Sequence, residues 1–132
     1  MVVLTQKLLD EVTTYIANNL IGNLTTGTGD NAITLTSTDL ETPVQIGDAD
    51  RNKAAESTTI IDNFFVKSFL LTSAEPDSQP VNLQEFGIQD GLNETAELKA
   101  GLVLPVASTK DNLSQWTLRF SGKVLENVWL LH

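Results

Sequence analysis

The chain has 132 residues, of which 41% are apolar and 19% charged, and it contains no cysteine. This length buries about two thirds of the unfolded surface in one core, and the missing cysteines exclude disulfide frameworks, thiolate metal sites and cysteine nucleophiles. Seventeen acidic against eight basic residues give a net charge of −9, which repels phosphate backbones and anionic lipids. We therefore expect one domain, residues 1–132, with neither nucleic acid nor membrane as a partner.

No apolar run reaches the length of a membrane span, and no basic segment precedes the apolar residues near the start. These features predict a soluble, non-secreted chain.

Residues 5–21 have the pattern of an amphipathic helix, because their apolar members recur at spacings of three and four. These members are Leu8, Leu9, Val12, Ile16 and Leu20. Thr5 suits the N-cap, and Gly22 suits a left-handed residue closing the helix. The apolar stripe needs a cover, either a sheet or a neighbouring subunit. Leu8, Val12 and Ile16 are therefore candidate interface residues.

Beyond the helix, turn-rich and alternating segments succeed one another. Residues 23–30 are rich in Gly, Thr and Asn and predict a loop. Residues 32–40 alternate apolar and polar side chains as a half-buried strand does, and Pro43 ends the pattern. Residues 48–56 are polar without an apolar period, which predicts an exposed loop or a single helical turn.

Four further segments alternate with period two and are rich in β-branched and aromatic residues. They are residues 60–72, 81–89, 94–104 and 115–131. Strands separated by turn signals favour antiparallel pairing. We predict a mainly β protein, an antiparallel β-sandwich or barrel over residues 32–122 with one N-terminal amphipathic helix, and a C-terminal extension, 123–132, as a possible docking element.

Asp48, Asp50 and Asn52 have the oxygen spacing that opens a calcium-binding loop. An EF-hand loop needs Gly at its sixth position and Glu at its twelfth, where this chain has Lys53 and Thr59. A solvated polar loop is the favoured interpretation, and a cation site of another type is the alternative.

The carboxylates Glu75, Asp77, Glu85 and Asp90 lie close in sequence and could form an acid/base pair, although acidic surface residues are usually just solvated. Glu85 lies within a predicted strand among apolar neighbours, so its carboxylate needs a polar or charged partner. Arg119 is the charge best placed to pair with it. The alternative is that both side chains face water. The lone histidine, His132, gives no basis for a Ser-His-Asp arrangement. We expect no enzymatic activity and no cofactor.

Both chain ends are apolar, where frayed polar ends are the norm. Val2, Val3 and Leu4 lie near the start, and Trp129, Leu130 and Leu131 near the end. These segments either complete the domain's own sheet or are buried against another subunit, so Trp129, Leu130 and Leu131 are also candidate interface residues.

The order of these features resembles small structural proteins of tailed bacteriophages and related archaeal viruses, of the tail-fibre, neck or virion structural type. The resemblance covers residues 8–120. Its motifs are the helix followed by Gly27-Thr-Gly29, the Thr-rich 33–44, the strand 64–69, the Glu-Phe-Gly of 81–88, the turn Asp90-Gly91, and 110–120 with its Trp-Thr-Leu-Arg-Phe.

The resemblance implies a non-enzymatic structural subunit of a virion, made in the host cytoplasm, that assembles symmetrically as a homo-oligomer with other virion proteins. Its place would be the neck, tail, baseplate or a fibre attachment. A capsid decoration protein is one alternative, and a host-glycan-binding module is another. Trp116 and Trp129 discriminate between them, because burial or an intersubunit position favours assembly, whereas exposure in a carboxylate-lined groove favours sugar binding.

Overall fold

The computed structural model describes residues 3–47, 50–91 and 96–124, which form one helical segment and eight strands. Helix α1 spans Gln6–Tyr15 and continues as a π-helical turn, Ile16–Leu20. The strands are β1 Asn23–Gly27, β2 Pro43–Val44, β3 Asn52–Ala54, β4 Ser57–Ile61, β5 Phe64–Leu71, β6 Val81–Gln89, β7 Leu98–Lys110 and β8 Trp116–Lys123.

The strands form two antiparallel sheets. The larger has the order β2-β1-β6-β7, with β3 also paired to β1, and the smaller has the order β4-β5-β8. The predicted mainly β, sandwich-like fold with one N-terminal helix is therefore confirmed, and the described strands do not close into a barrel.

The helix begins where the sequence predicts. The Thr5 side chain accepts a hydrogen bond from the Leu8 N–H at 3.3 Å, which satisfies one of the free donors of the first turn. The end differs from the prediction, because Gly22 is not left-handed; no described glycine has a positive φ. The helix ends instead through the π-helical turn, and Ile21, with φ −134° and ψ 44°, leaves the helical conformation before β1 begins at Asn23.

Strand β1 replaces the loop predicted over residues 23–30. All five of its residues are buried, and β6 pairs along its whole length. The β-branched Thr25 and Thr26 suit a strand, and Gly27 allows a close approach, since a Cβ there would lie 2.5 Å from the Thr42 carbonyl oxygen. The composition that excludes a helix was compatible with a strand as well as a loop.

The strand predicted over residues 32–40 is wrong, because these residues form turns and irregular structure. The segment 28–42 crosses the outer face of the larger sheet. A Cβ at Gly87 would meet Leu40, and one at Gly101 would meet Ile33, so glycines make room for this crossing. Leu35, on the predicted apolar side, is fully exposed at 107%.

The exposed loop predicted over residues 48–56 is also partly wrong, because it contains β3. Asn52 in β3 is 2% exposed, and its side-chain amide donates to Gln89 Oε1 at 2.7 Å and to the Gly91 carbonyl at 2.9 Å. The polar side chain of Asn52 is thus buried because its amide is hydrogen-bonded to a side chain of β6 and to the Gly91 carbonyl.

The strand predicted over residues 60–72 contains β5 and the last two residues of β4, and the chain turns between these strands at Asp62, with φ 53°. Strand β5 is central in its sheet, as its apolar content on both faces predicted. Strand β6 has the predicted bounds, 81–89.

Of the strand predicted over residues 94–104, residues 94 and 95 lie outside the described part, and residues 96 and 97 are not in a strand. Strand β7 spans Leu98–Lys110 and so continues past Pro105, beyond the predicted end. Pro105 is tolerated because it lies at a register shift of the β6–β7 ladder, between Val103, which pairs with Glu85, and Ser108, which pairs with Leu83. Strand β8 covers residues 116–123 of the predicted 115–131, and residues 125–131 lie outside the described part.

The core joins both sheets and the end of the helical segment. Its buried members are Ala17, Ile21, Leu24, Ile46, Phe65, Phe69, Leu71, Leu83, Phe86 and Ile88. None of the described helices has the length and apolar character needed to cross a membrane.

Candidate functional site

An apolar cleft opens between the two sheets on the side of β7 and β8. Each of these strands ends its own sheet, since the described part of the chain pairs β7 with β6 alone and β8 with β5 alone. The cleft has a volume of about 370 Å³. Its lining is Leu24, Phe69, Phe86, Ile88, Gly101, Leu102, Leu104, Ser108, Trp116, Leu118, Arg119 and Phe120.

Strand alternation places the side chains of one wall. Trp116, Leu118 and Phe120 are alternate residues of β8 and therefore share a face. The register sets Leu118 opposite the buried Phe69 of β5, so this face continues that of the core. The three β8 side chains nevertheless stay half-buried, because the described part of the other sheet leaves them partly uncovered.

The opposite wall comes from β6 and β7. Phe86 pairs with Leu102 across the ladder, and Leu102 is 56% exposed although its neighbours in the wall belong to the core. Leu104 is half-buried beside it. A partner that covered these side chains would stabilise the complex by about 25 cal/mol for each Å² of apolar surface removed from water.

The chemistry of the cleft favours binding of apolar groups. Ser108 supplies a hydroxyl to its lining, whereas Arg119, between Leu118 and Phe120, is exposed and by strand alternation presents its side chain to the other face of β8. No carboxylate is among the lining residues. The free edges of β7 and β8 border it and present backbone N–H and C=O groups that an added strand could pair with. An extended apolar segment is therefore the occupant that fits both its lining and its borders.

Glu85 is buried in a cradle of backbone amides. It is 1% exposed, and its carboxylate accepts from the N–H groups of Gly29 at 2.5 Å, Glu41 at 2.7 Å and Thr42 at 3.0 Å. The predicted pair with Arg119 is wrong, because β6 and β8 belong to different sheets and Arg119 is exposed. The alternative, that both face water, is wrong for Glu85.

Glu75 and Asp90 have separate cationic partners. Burial raises the pKa of Glu75, but hydrogen bonds from Lys53, at 2.5 Å, and from the Thr72 N–H outweigh it and hold that pKa below its ordinary value. The Glu97 N–H and the Lys99 ammonium lower the pKa of Asp90.

Within the described part of the chain, no hydrogen bond joins Glu75, Asp77, Glu85 or Asp90 to another of the four.

The candidate cation ligands are not brought together by any feature that the structure describes. Asp48 lies outside the described residues, Asp50 is exposed, and Asn52 is buried with its amide nitrogen committed to Gln89 and Gly91. Among residues 3–47, 50–91 and 96–124 there is no cluster of three or more His, Asp or Glu side chains that could hold a metal ion.

The interface candidates on the helix are divided between core and surface. Ile16 packs against the core, Val12 is half-buried, and Leu8 is 43% exposed. Trp129, Leu130 and Leu131 lie outside the described residues.

The sequence analysis missed the cleft, although five of its lining residues lie in the segments 94–104 and 115–131, which it predicted as alternating strands. They are Leu102, Leu104, Trp116, Leu118 and Phe120. The available signal was the number of these residues on the last two strands. Their faces carry more apolar surface than the described sandwich covers.

No family model, curated protein or solved structure matches this chain. The resemblance to structural proteins of tailed viruses therefore depends on the sequence pattern alone.

Proposed function

We propose that the chain is a non-enzymatic structural subunit of a tailed-virus particle, in its neck, tail, baseplate or fibre attachment. It acts by symmetric assembly, in which apolar elements of neighbouring subunits dock into the cleft between β7 and β8. The capsid decoration protein is the alternative with the same chemistry.

The observation that carries this proposal is the half-covered apolar lining of the cleft. Leu102 is 56% exposed, and Trp116 and Phe120 are half-buried. Completing the burial of a large apolar side chain stabilises a complex by about 1.5–3 kcal/mol at most, in proportion to the area still exposed. Several such side chains in one cleft form the central apolar cluster that protein interfaces use.

The cleft favours assembly over sugar recognition. Sugar-binding sites combine an aromatic platform with polar groups that fix orientation, whereas Trp116 lies here among Leu104, Leu118 and Phe120. The second tryptophan, Trp129, is outside the described residues and favours neither hypothesis.

The proposal is tested on particles of the virus that carries this sequence. Quantitative mass spectrometry of gradient-purified particles should find the chain in a fixed ratio to the major capsid protein. Gold-labelled antibodies should bind at the neck, tail or baseplate in electron micrographs. Label spread over the shell would support the decoration alternative, and absence from the particles would overturn a virion role altogether.

A further inference from the structure

We infer that residues 125–132 of one copy dock as an added strand into the cleft of a second copy, which makes the contact head-to-tail. This inference rests on the proposed function, because it names the occupant of the cleft through which the subunit assembles. The occupant is thus a segment of the same sequence, and the cleft is its receptor.

The chemistry of the segment matches the cleft. Val128, Trp129, Leu130 and Leu131 are four consecutive apolar residues. In a strand, alternate side chains point to opposite sides, so the side that enters the cleft is apolar in either register. Its backbone can pair with the free side of β8 or of β7, which the described strands leave open.

The point at which the described chain ends separates the segment from its own cleft. The Val124 N–H donates to the Asn63 carbonyl at 3.0 Å, and the Val124 carbonyl accepts from the Asn63 side chain at 2.7 Å. These bonds fix the end of β8 at the β4–β5 turn, whereas the cleft is lined by the first part of β8, from Trp116 to Phe120.

Reach and direction favour a second copy. Eight extended residues span about 26 Å, which is enough to cross into a neighbouring subunit. To return to its own cleft, the chain would have to reverse its direction directly after the bonds between Val124 and Asn63, whereas a course that continues the direction of β8 leads away from the cleft. A head-to-tail contact of this kind propagates into a ring or a filament, as a neck or tail layer requires.

The test uses two inactivated forms of the 132-residue chain, one with a disrupted cleft and one with a disrupted C-terminal segment. In Leu102→Lys the cleft carries a charge while the segment is intact. In the double variant Trp129→Ser, Leu130→Ser the segment is polar on both sides while the cleft is intact. Val106→Lys is the matched control for the first, since Val106 lies on the same strand, is 76% exposed and does not line the cleft. Asn127→Ser is the control for the second.

Sedimentation velocity of each variant and of mixtures provides the readout. Wild type and both controls should self-associate with rising concentration, whereas each inactivated form should associate at least about tenfold more weakly. An equimolar mixture of the two inactivated forms should restore a complex of two 14.3 kDa chains, because one intact cleft meets one intact segment. Circular dichroism verifies that each variant is folded.

Three results would overturn the inference. The segment variant could associate as strongly as wild type, the mixture could contain monomers alone, or wild type could be monomeric at every concentration. In the first two cases wild type still self-associates, so the proposed function is kept and a different segment occupies the cleft. In the third case the particle analysis above decides the proposed function independently.

Discussion

Glu85→Gln tests how the segment 28–42 is held against the larger sheet. The Glu85 carboxylate accepts three backbone N–H groups, two at Oε2 from Gly29 and Thr42 and one at Oε1 from Glu41. In glutamine an amide nitrogen replaces one oxygen, and the least damaging orientation sets it against the Glu41 N–H. One charge-assisted hydrogen bond, worth about 1.5–3 kcal/mol, is then lost and two are reduced to neutral strength. We expect a loss of about 2–4 kcal/mol in the free energy of unfolding.

Urea unfolding followed by circular dichroism measures this loss, and amide hydrogen exchange at Gly29 and Thr42 should accelerate with it. Glu41→Gln is the matched control. Its carboxylate is exposed and accepts one backbone bond, from Asp30 at 3.2 Å, so it should lose less than about 1 kcal/mol. A Glu85→Gln chain within about 0.5 kcal/mol of wild type would refute the reasoning.

Three further substitutions test the fold at other points. Because the folded pKa of Glu75 lies below the unfolded value of 4.5, its carboxylate contributes stability above the unfolded value, and this contribution is lost as pH falls through the folded value. The difference in unfolding free energy between wild type and Glu75→Gln should therefore close on acidification in urea titrations. A difference that stays constant with pH would contradict this. Gly27→Ala should lose about 1–3 kcal/mol in the free energy of unfolding, measured by chemical denaturation, because its Cβ would lie 2.7 Å from Glu85 Cγ. Gly22→Ala should stay within about 0.5 kcal/mol of wild type, because nothing lies within 4 Å of its Cβ. Equal losses in the two variants would be inconsistent with this packing. Lys110→Met should lose about 3 kcal/mol or more, because the three N–H groups of the buried ammonium are shared among four protein oxygens within hydrogen-bond distance. A thermal or urea midpoint like that of the control Lys99→Met would contradict this.

The strands that the sequence predicts well are those with local signals at both ends. Strand β6 follows Pro80 and ends before the Asp90-Gly91 turn, with apolar side chains alternating between them. Its bounds agree with the prediction because the turn chemistry and the period of the side chains indicate the same limits.

Strand β1 of the larger sheet was mispredicted as a loop because its sequence is polar. Strand β1 reads Asn-Leu-Thr-Thr-Gly, and its burial depends on Gly27 and on the segment that crosses above it. Conversely, Ile33 and Leu35 alternate as in a strand, yet the chain uses Ile33 to cover Gly101 and leaves Leu35 in water. Both errors come from tertiary contacts that override local pattern.

The cleft could be predicted in its parts but not as a site. The apolar faces around Leu102 and Leu118 are readable from alternation, and each is consistent with an ordinary core. What makes them a site is that β7 and β8 end different sheets, and strand order between sheets is not encoded in the period of either strand. The same reason explains why Glu85 was matched to Arg119 across sheets that do not place them together.

The central claim, that this chain assembles through the cleft between β7 and β8, is tested most directly by sedimentation equilibrium. Wild type, Leu102→Lys and Val106→Lys are compared over a wide range of concentrations at constant ionic strength. The account predicts concentration-dependent association of wild type and Val106→Lys, with Leu102→Lys at least about tenfold weaker. Association that Leu102→Lys leaves unchanged, or a wild-type chain that sediments at 14.3 kDa throughout, would contradict it.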